Sequence, residues 1–582
     1  MIQCMPARTG TAHVVTTTRK YKDRVYRTHL LRRSYREGGT VKNETLGNLS
    51  HLPEPLIEII RRSLQGQTYV PLGEAFEIAR SRPHGHVQAV AAAMQRLGMA
   101  SLIAAQPCVE RDRVLAMVAA RIVAPHTKLA TTRWWHTTTL ADDFAVASCD
   151  EDGLYAAMDW LLARQDRIQH KLAARHLQDG GLVLYDLSSS YFEGTTCPLA
   201  KLGYSRDGKK GLLQVNYGLL TDVRGCPVAV SVHEGNTADS STFMPAVQKV
   251  REDFGIRHMV MVGDRGMVSQ KAIDELREID GVGWITALKS ASIRELIEQG
   301  NLQLGLFDER NLLELSSPDY PGERLVACRN RQLARLRAHE REELLLATER
   351  NLDKIVARVA AAKLAGRDAI GLAVGKIINQ YKMAKHFELD IDEAAFAYRR
   401  KAEGIAAEAA LDGVYIIRTS LEREQMEAAD CVRNYKSLAN VERAFRSLKT
   451  IDLKVRPIHH RTADRVRAHI FVCMLAYYVE WHLREVWREL MFADTQQQAK
   501  TTRDPVAPAT RSKAALTKVA RHALPDGTTV HSFSTLLAEL ATVVRNTCRM
   551  PGAGPDAPSF EVLTTPNALQ QRAITLVEQI RQ

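Results

Sequence analysis

Nowhere in the 582 residues do two cysteines stand as a C-x-x-C pair. The nine cysteines are scattered, at Cys4, Cys108, Cys149, Cys197, Cys226, Cys328, Cys431, Cys473 and Cys548. Neither a zinc ribbon nor a disulfide framework is signalled, and reduced thiols in a cytosolic protein are the default. The longest apolar run, residues 470–479, has ten residues, too few to span a bilayer. No secretory hydrophobic region opens the chain. A bacterial cytoplasmic protein without a membrane partner is the expectation. No G-x-S-x-G or Ser-His-Asp pattern appears, which argues against a metal-independent hydrolase. Repeats and low-complexity tracts are missing too.

What is present suits a large, basic, multidomain chain. The length implies roughly three to five domains, and a hydrophobic content of 45% is ample for buried cores. Lys plus Arg exceed Asp plus Glu by 79 − 67 = +12, a balance compatible with a nucleic-acid partner.

Residues 1–85 carry a basic segment at 19–42 that includes Arg32 and Arg33, with Tyr21, Tyr26 and Tyr35 interleaved. The turn signal E-G-G-T at 37–40 predicts a β-hairpin there. It is a candidate DNA-binding element, with a solvated basic hairpin as the alternative. Residues 86–178 carry helix-period apolar residues and predict a helical domain that helps hold DNA ends, with Trp134 and Trp135 in its core. From residue 182 the pattern changes. Apolar runs at 182–186, 212–220, 227–233, 259–262 and 284–288 predict strands, with helices at about 242–253 and 269–279. The order βββαβαβ, over residues 179–289, is that of a ribonuclease-H-like core.

Residues 290–412 interrupt that core. They predict a short helix at 292–299, a strand at 323–329, a long charged helix over 332–363, with Leu345, Leu352 and Val359 at heptad spacing, a second helix and a hairpin. An inserted domain with a helical arm and a dimerising helical hairpin are both compatible with this pattern. Residues 413–485 resume with a strand, then the run N-Y-K-S-L-A-N-V-E-R-A-F-R-S-L-K at 434–449, then an apolar helix at 470–483. Leu438, Val441, Phe445 and Leu448 predict one helix over 434–449. Tyr435, Glu442 and Lys449 are seven apart and would stack along one stripe of it; a solvated charged face is the alternative. Residues 486–582 predict a linker at 495–512 and a helical tail with a helix at about 534–545.

Two predicted strands end in carboxylates, Asp186 and Asp264, and the later helix offers Glu442. Clustered carboxylates raise one another's pKa, and a divalent cation relieves that repulsion. Oxygen donors suit Mg²⁺ or Mn²⁺. Two such ions about 4 Å apart would stabilise the attacking and leaving oxygens of a phosphoryl displacement. Each acid also has a plain reading, as a turn or surface residue.

The stretches Y-D-L-S-S-S-Y-F-E-G, G-Y-S-R-D-G-K-K-G, G-N-T-A-D, G-D-R-G-M and Y-K-S-L-A-N-V-E-R-A-F-R-S-L-K, in that order, resemble the DDE transposases of bacterial insertion sequences. The likeness is to the IS-4 superfamily and its IS-1634-like branch. It covers roughly residues 180–290 and 413–483, with a weaker likeness in the N-terminal hairpin. The resemblance implies an α/β protein with a ribonuclease-H-like catalytic core: a mixed five-stranded sheet with flanking helices, interrupted by an insertion domain. Helical N-terminal and C-terminal regions complete the expected fold. It implies that Asp186, Asp264 and Glu442 are catalytic and hold two Mg²⁺ or Mn²⁺ ions. The partners implied are double-stranded DNA, as transposon ends and target, and a second copy of the chain.

The family signature Y-x2-R-x3-E-x6-K is matched by Tyr435, Glu442 and Lys449, while Leu438 stands where the arginine is expected. By the same resemblance Tyr435 and Lys449 contact DNA phosphates; Arg446, one turn beyond Glu442, and Arg443 are candidates to replace the missing arginine. Lys209, Lys210, Arg265, Arg32 and Arg33 are further DNA-binding candidates. Trp284 is assigned to packing, with base stacking the alternative, and His233 and Glu193 to structural roles. A nuclease that cuts without joining, and a non-catalytic DNA-binding derivative, are the rival functions.

Overall fold

The computed structural model describes residues 10–22, 24–69, 75–308, 310–498, 502–554 and 556–581. The chain divides into two compact units, Met1–Ser81 with Arg545–Leu563 and Arg82–Val544 with Thr564–Gln582.

In the first unit Thr11–Tyr21, Arg24–Glu37 and Thr40–Asn48 form an antiparallel sheet with Arg24–Glu37 in the middle. Gly38 and Gly39 make the tight turn, with φ of 59° and 79°, values that cost glycine little. The expected hairpin is therefore two strands of three. The third, T-A-H-V-V-T-T-T-R-K-Y, is rich in β-branched residues that favour extended backbone. A second small sheet has Val544–Arg549 between Ser559–Leu563 and Glu77–Pro83. The tail is thus not all helical. The helix expected to reach Arg545 ends at Ala541, and extended chain resumes at Val544.

The second unit is built on one mixed sheet. Its strands are β1 (Gly181–Tyr191), β2 (Gln214–Thr221), β3 (Pro227–Glu234), β4 (Met259–Val262), β5 (Val282–Ala287), β6 (Leu312–Leu315), β7 (Arg324–Arg329) and β8 (Val414–Thr419). Their order is β6-β7-β8-β5-β4-β1-β2-β3. Strands β1, β4 and β5 are parallel neighbours, and every other pairing is antiparallel. The centre is apolar on both faces, as M-V-M-V in β4 illustrates, because helices cover both sides. The sheet has eight strands rather than five. Strands β6 and β7 come from residues 290–412, expected to lie wholly in an insertion. Strand β6 pairs with β7, and β7 joins the sheet through β8, which follows much later in the chain, so local periodicity carries no trace of that pairing.

The helices expected over 86–178 form a layer that includes Gly85–Arg96, Val109–Val123, Glu151–Leu162 and Gln165–His176. Trp135 is fully buried in it. Between this layer and β3 lies helix Ala463–Val486, buried almost all round over 466–483, which explains its apolar sequence on every face. Among the described residues no helix is long and apolar enough to cross a membrane.

Between β7 and β8 the chain forms helices Arg331–Ala360 and Arg367–Tyr381, a hairpin of Phe387–Ile391 with Phe396–Arg400, and helix Ala402–Ala410. Leu345, Leu352 and Val359 pack into this segment's own core with Ile370, Val374 and Phe396. Arg400 binds both Glu342 and Glu349.

Candidate active site

Parallel register brings the two aspartates together. Leu184 of β1 stands beside Val262 of β4; two residues later come Asp186, inside β1 rather than at its end because the strand runs on to Tyr191, and Asp264, just past the end of β4. Glu442 arrives on helix Leu438–Arg446, whose Val441, Ala444 and Phe445 are buried. The Phe445 ring meets Tyr217 of β2 at 5.8 Å between centroids. With that face seated against the sheet, Glu442 turns outward. Asp186, Asp264 and Glu442 then line one cleft of about 320 Å³ with Tyr435, Lys436, Leu438 and Ala439.

The cleft is electrostatically crowded. Burial pushes the Asp186 carboxyl up to about 7, and Asp264 and Glu442 add to the rise. The Leu187 amide, which donates to Asp186 Oδ1 at 2.8 Å, and the Arg206 guanidinium pull the other way. Tyr435 donates its hydroxyl to Asp264 Oδ1 at 3.1 Å. Burial, reinforced by Asp264, holds that phenol protonated well above its usual range. Elsewhere in this unit a separate group, His176, Cys226 and His482, brings its ligand atoms within 4.8 Å of one another.

Residues 434–449 are not one helix. Ala428–Lys436 and Leu438–Arg446 meet at Ser437, and Ser447–Ile451 forms a π-helical turn. Ser437 Oγ donates to Arg433 O at 3.1 Å, a serine back-bond of the kind that bends helices. The stripe of Tyr435, Glu442 and Lys449 is therefore divided. Lys449 is buried in the π turn, where its Nζ donates to Asp207 Oδ1 at 3.1 Å. Arg456 also pairs with Asp207, whose other oxygen accepts from Tyr191 N at 3.1 Å. Ser447 in turn donates to the buried Glu480 at 2.6 Å, and Arg484 binds Glu480 at 2.5 Å.

The remaining candidates are spread out. Arg443, Arg446, Lys209, Lys210 and Arg265 are exposed. Arg443 donates to Asn440 Oδ1 at 3.2 Å, and Arg265 lines a second cavity with Arg294, Arg337 and Lys385. Arg32 and Arg33 lie in the first unit, opposite Thr45 and Glu44. Leu438 is 8% exposed, an apolar wall of the cleft rather than a charged contact. Trp284 is packed, at 3% exposure. His233 is half-buried, and Glu193 faces His459 at 3.7 Å.

Sequence reasoning missed Arg206 and Asp207 as individual residues, although both lie in the quoted stretch G-Y-S-R-D-G-K-K-G. Arg206 sits beside Asp186 and is held by Asp239 at 2.5 Å. It missed Lys436 and Glu480 as well. A lysine in a helix and a glutamate in an apolar run carry no local signal of such roles.

The chain matches the Transposase DDE domain over residues 182–479 and the IS1634 family transposase N-terminal domain over residues 14–70. No curated protein matches it. One solved structure it resembles is the cryo-EM structure of a piggyBac transposase synaptic complex with hairpin DNA. That likeness spans 78% of this chain and 77% of that one, at 9% identity and a TM-score of 0.33, too slight to carry the fold or the chemistry.

Proposed function

The chain belongs to the DDE transposases of insertion sequences, in the IS1634 branch, and from that premise we propose that it cuts the ends of such an element and joins them to target DNA in a metal-dependent reaction. The observation that carries this reading is the convergence of Asp186, Asp264 and Glu442 on one cleft. The strand order β3-β2-β1-β4-β5, with three antiparallel strands and then two parallel ones, supports a ribonuclease-H-like core. Strands β6, β7 and β8 extend it.

The donor set fits a hard divalent cation. It offers three carboxylates, and one of them, Asp186, is pushed up to about 7 by burial and, to a lesser degree, by the other two, a repulsion that a cation would relieve. Asp186, Asp264 and Glu442 would hold Mg²⁺ or Mn²⁺. Such ions, when bound in pairs, supply the charge that stabilises in-line displacement at phosphorus.

The chain's own residues do the positioning. Tyr435 fixes the Asp264 carboxylate by its hydrogen bond. Arg206 stands behind Asp186 as a fixed countercharge. Arg443 and Arg446, exposed on the Glu442 helix, and Arg265 beside Asp264 offer cations to the DNA backbone. Lys449 acts from within, tying the end of the Glu442 helix to Asp207.

The test supplies the full chain with DNA carrying the element's terminal repeats and a supercoiled target. Matched inverted repeats flanking the gene identify the ends. Mg²⁺-dependent release of 3′ ends and a joined product are expected. Asp264→Asn and Glu442→Gln should abolish both while DNA binding persists. Cleavage without a joined product would make the protein a nuclease. Binding of the ends with neither cleavage nor joining by the unmutated chain would make it a non-catalytic derivative. Two copies should assemble on paired ends, visible as a dimeric mass with DNA.

A further inference from the structure

A second cluster of ligand-type side chains lies behind the Glu442 helix. The turn between β2 and β3 is built on Asp222, whose Oδ1 accepts from Arg224 N and Cys226 N, each at 2.9 Å. Asn440, two residues before Glu442, donates to Val223 O of this turn at 2.9 Å. Cys226 closes the turn, fully buried, and its Sγ stands 3.9 Å from Nε2 of His482. His482 lies on helix Ala463–Val486 and is 8% exposed. His176, the last residue of helix Gln165–His176, completes the group. The ligand atoms of all three lie within 4.8 Å of one another.

We propose that His176, Cys226 and His482 bind one Zn²⁺, with the Tyr478 hydroxyl or a water as the fourth ligand. Zinc bonds of 2.0–2.3 Å at tetrahedral angles put ligand atoms about 3.3–3.8 Å apart. The Cys226–His482 pair is already within a few tenths of an ångström of that spacing. His176, within 4.8 Å of both, would turn toward them on binding, and the Tyr478 hydroxyl is 3.0 Å from its Nε2. A thiol and two imidazoles form a soft donor set that selects zinc over magnesium or manganese, so this site is chemically distinct from the carboxylate cleft.

Burial depresses His176 to about 4 and His482 to about 3, leaving both rings neutral with a free lone pair. It pushes the Cys226 thiol up, so zinc binding would displace that proton to solvent as the thiolate forms. Arg175 and Arg224 stand near His482. Asp222 pairs with Arg224 at 2.7 Å and offsets its charge.

Such an ion would join the end of one helix, the β2–β3 turn and the long central helix. It would thereby fix Val223, Asn440 and the seat of Glu442. Zn²⁺ is a positioning element in this scheme and takes no part in phosphoryl transfer.

The experiment uses the full chain purified without a histidine tag, stripped with a chelator and then titrated with Zn²⁺ against a chromophoric competitor. One equivalent should bind and survive a millimolar excess of Mg²⁺. Co²⁺ in its place should give a thiolate-to-cobalt charge-transfer band. Cys226→Ser and His482→Gln should lose the equivalent and the band, whereas Cys108→Ser should keep both. A folded wild-type chain that takes up no Zn²⁺, or a Co²⁺ spectrum without the thiolate band, overturns the proposal. Neither result requires a variant to fold. Retention of the full equivalent by Cys226→Ser overturns it too.

Discussion

Replacing Asp207 by alanine would leave two cations in the interior with no countercharge. The Asp207 side chain is 1% exposed and Lys449 11%, and Arg456 shares the same carboxylate. Removing one member of a buried pair typically costs about 3–5 kcal/mol, because the survivor stays desolvated. Asp207→Ala should therefore destabilise the second unit by about that much. Lys449→Met should cost much less, since Arg456 still neutralises Asp207 and the methionine chain fills the lysine's volume. The double variant Asp207→Ala/Lys449→Met should recover part of the loss, with a coupling of about 0.5–3 kcal/mol in a double-mutant cycle. Urea denaturation of the four proteins, followed by tryptophan fluorescence, reads the ordering, and DNA-end cleavage at low temperature is measured alongside. The reasoning is refuted if Lys449→Met abolishes cleavage and binding without altering stability, or if the two substitutions are additive. The first outcome would make Lys449 a phosphate contact instead of an internal strut, and the second would show that its pairing with Asp207 carries no stability.

Gly225 has φ +87°, and a Cβ there would stand 2.8 Å from the Asn440 Cβ. Gly225→Ala should leave circular dichroism intact and depress DNA cleavage by displacing the Glu442 helix; unchanged cleavage would show that the turn does not seat the helix. With the Asp186 carboxyl raised to about 7, the folded metal-free chain binds more protons than the unfolded chain between pH 4 and 7. The metal-free chain should therefore lose stability as pH rises through that window. Mg²⁺ affinity should rise over the same window, and calorimetry in buffers of different ionisation heat should detect the proton released; Asp186→Asn should remove both trends. Tyr435→Phe deletes the 3.1 Å bond to Asp264 and should slow cleavage while leaving binding of DNA ends unchanged, as gel shift and single-turnover assays would register.

The legible parts of this protein were those governed by local chemistry. The apolar runs ending at Asp186 and Asp264, the G-G turn at 38–39 and the all-round apolar helix carrying His482 each follow from neighbours in sequence. The illegible parts depend on partners far along the chain. Strand β7 is legible as a strand, but its place in the main sheet, and that of β6 beside it, is not, because β8, which pairs with β7, lies far along the chain. The break between the helices at Ser437 coincides with one side-chain hydrogen bond, to Arg433 O, in an otherwise helical run. Lys449 reads as a surface cation until Asp207, brought by a distant loop, takes it inside. His176, Cys226 and His482 have no spacing signature, since three separate elements supply them.

The two strands that flank residues 331–412 have a consequence for how this protein can change. Arg329 and Val414 are register partners, and Asn330 N donates to Gly413 O at 2.8 Å. The segment thus leaves and re-enters the sheet through adjacent rungs of one ladder. Topologically it is the loop of a hairpin, and lengthening such a loop adds closure entropy only logarithmically, about 0.6 kcal/mol per doubling. A segment entering this way can be lengthened, exchanged or shortened to a turn while β7 and β8 keep their pairing. The port through which it is spliced is the part under tight physical constraint, and the cargo it carries is free to diversify.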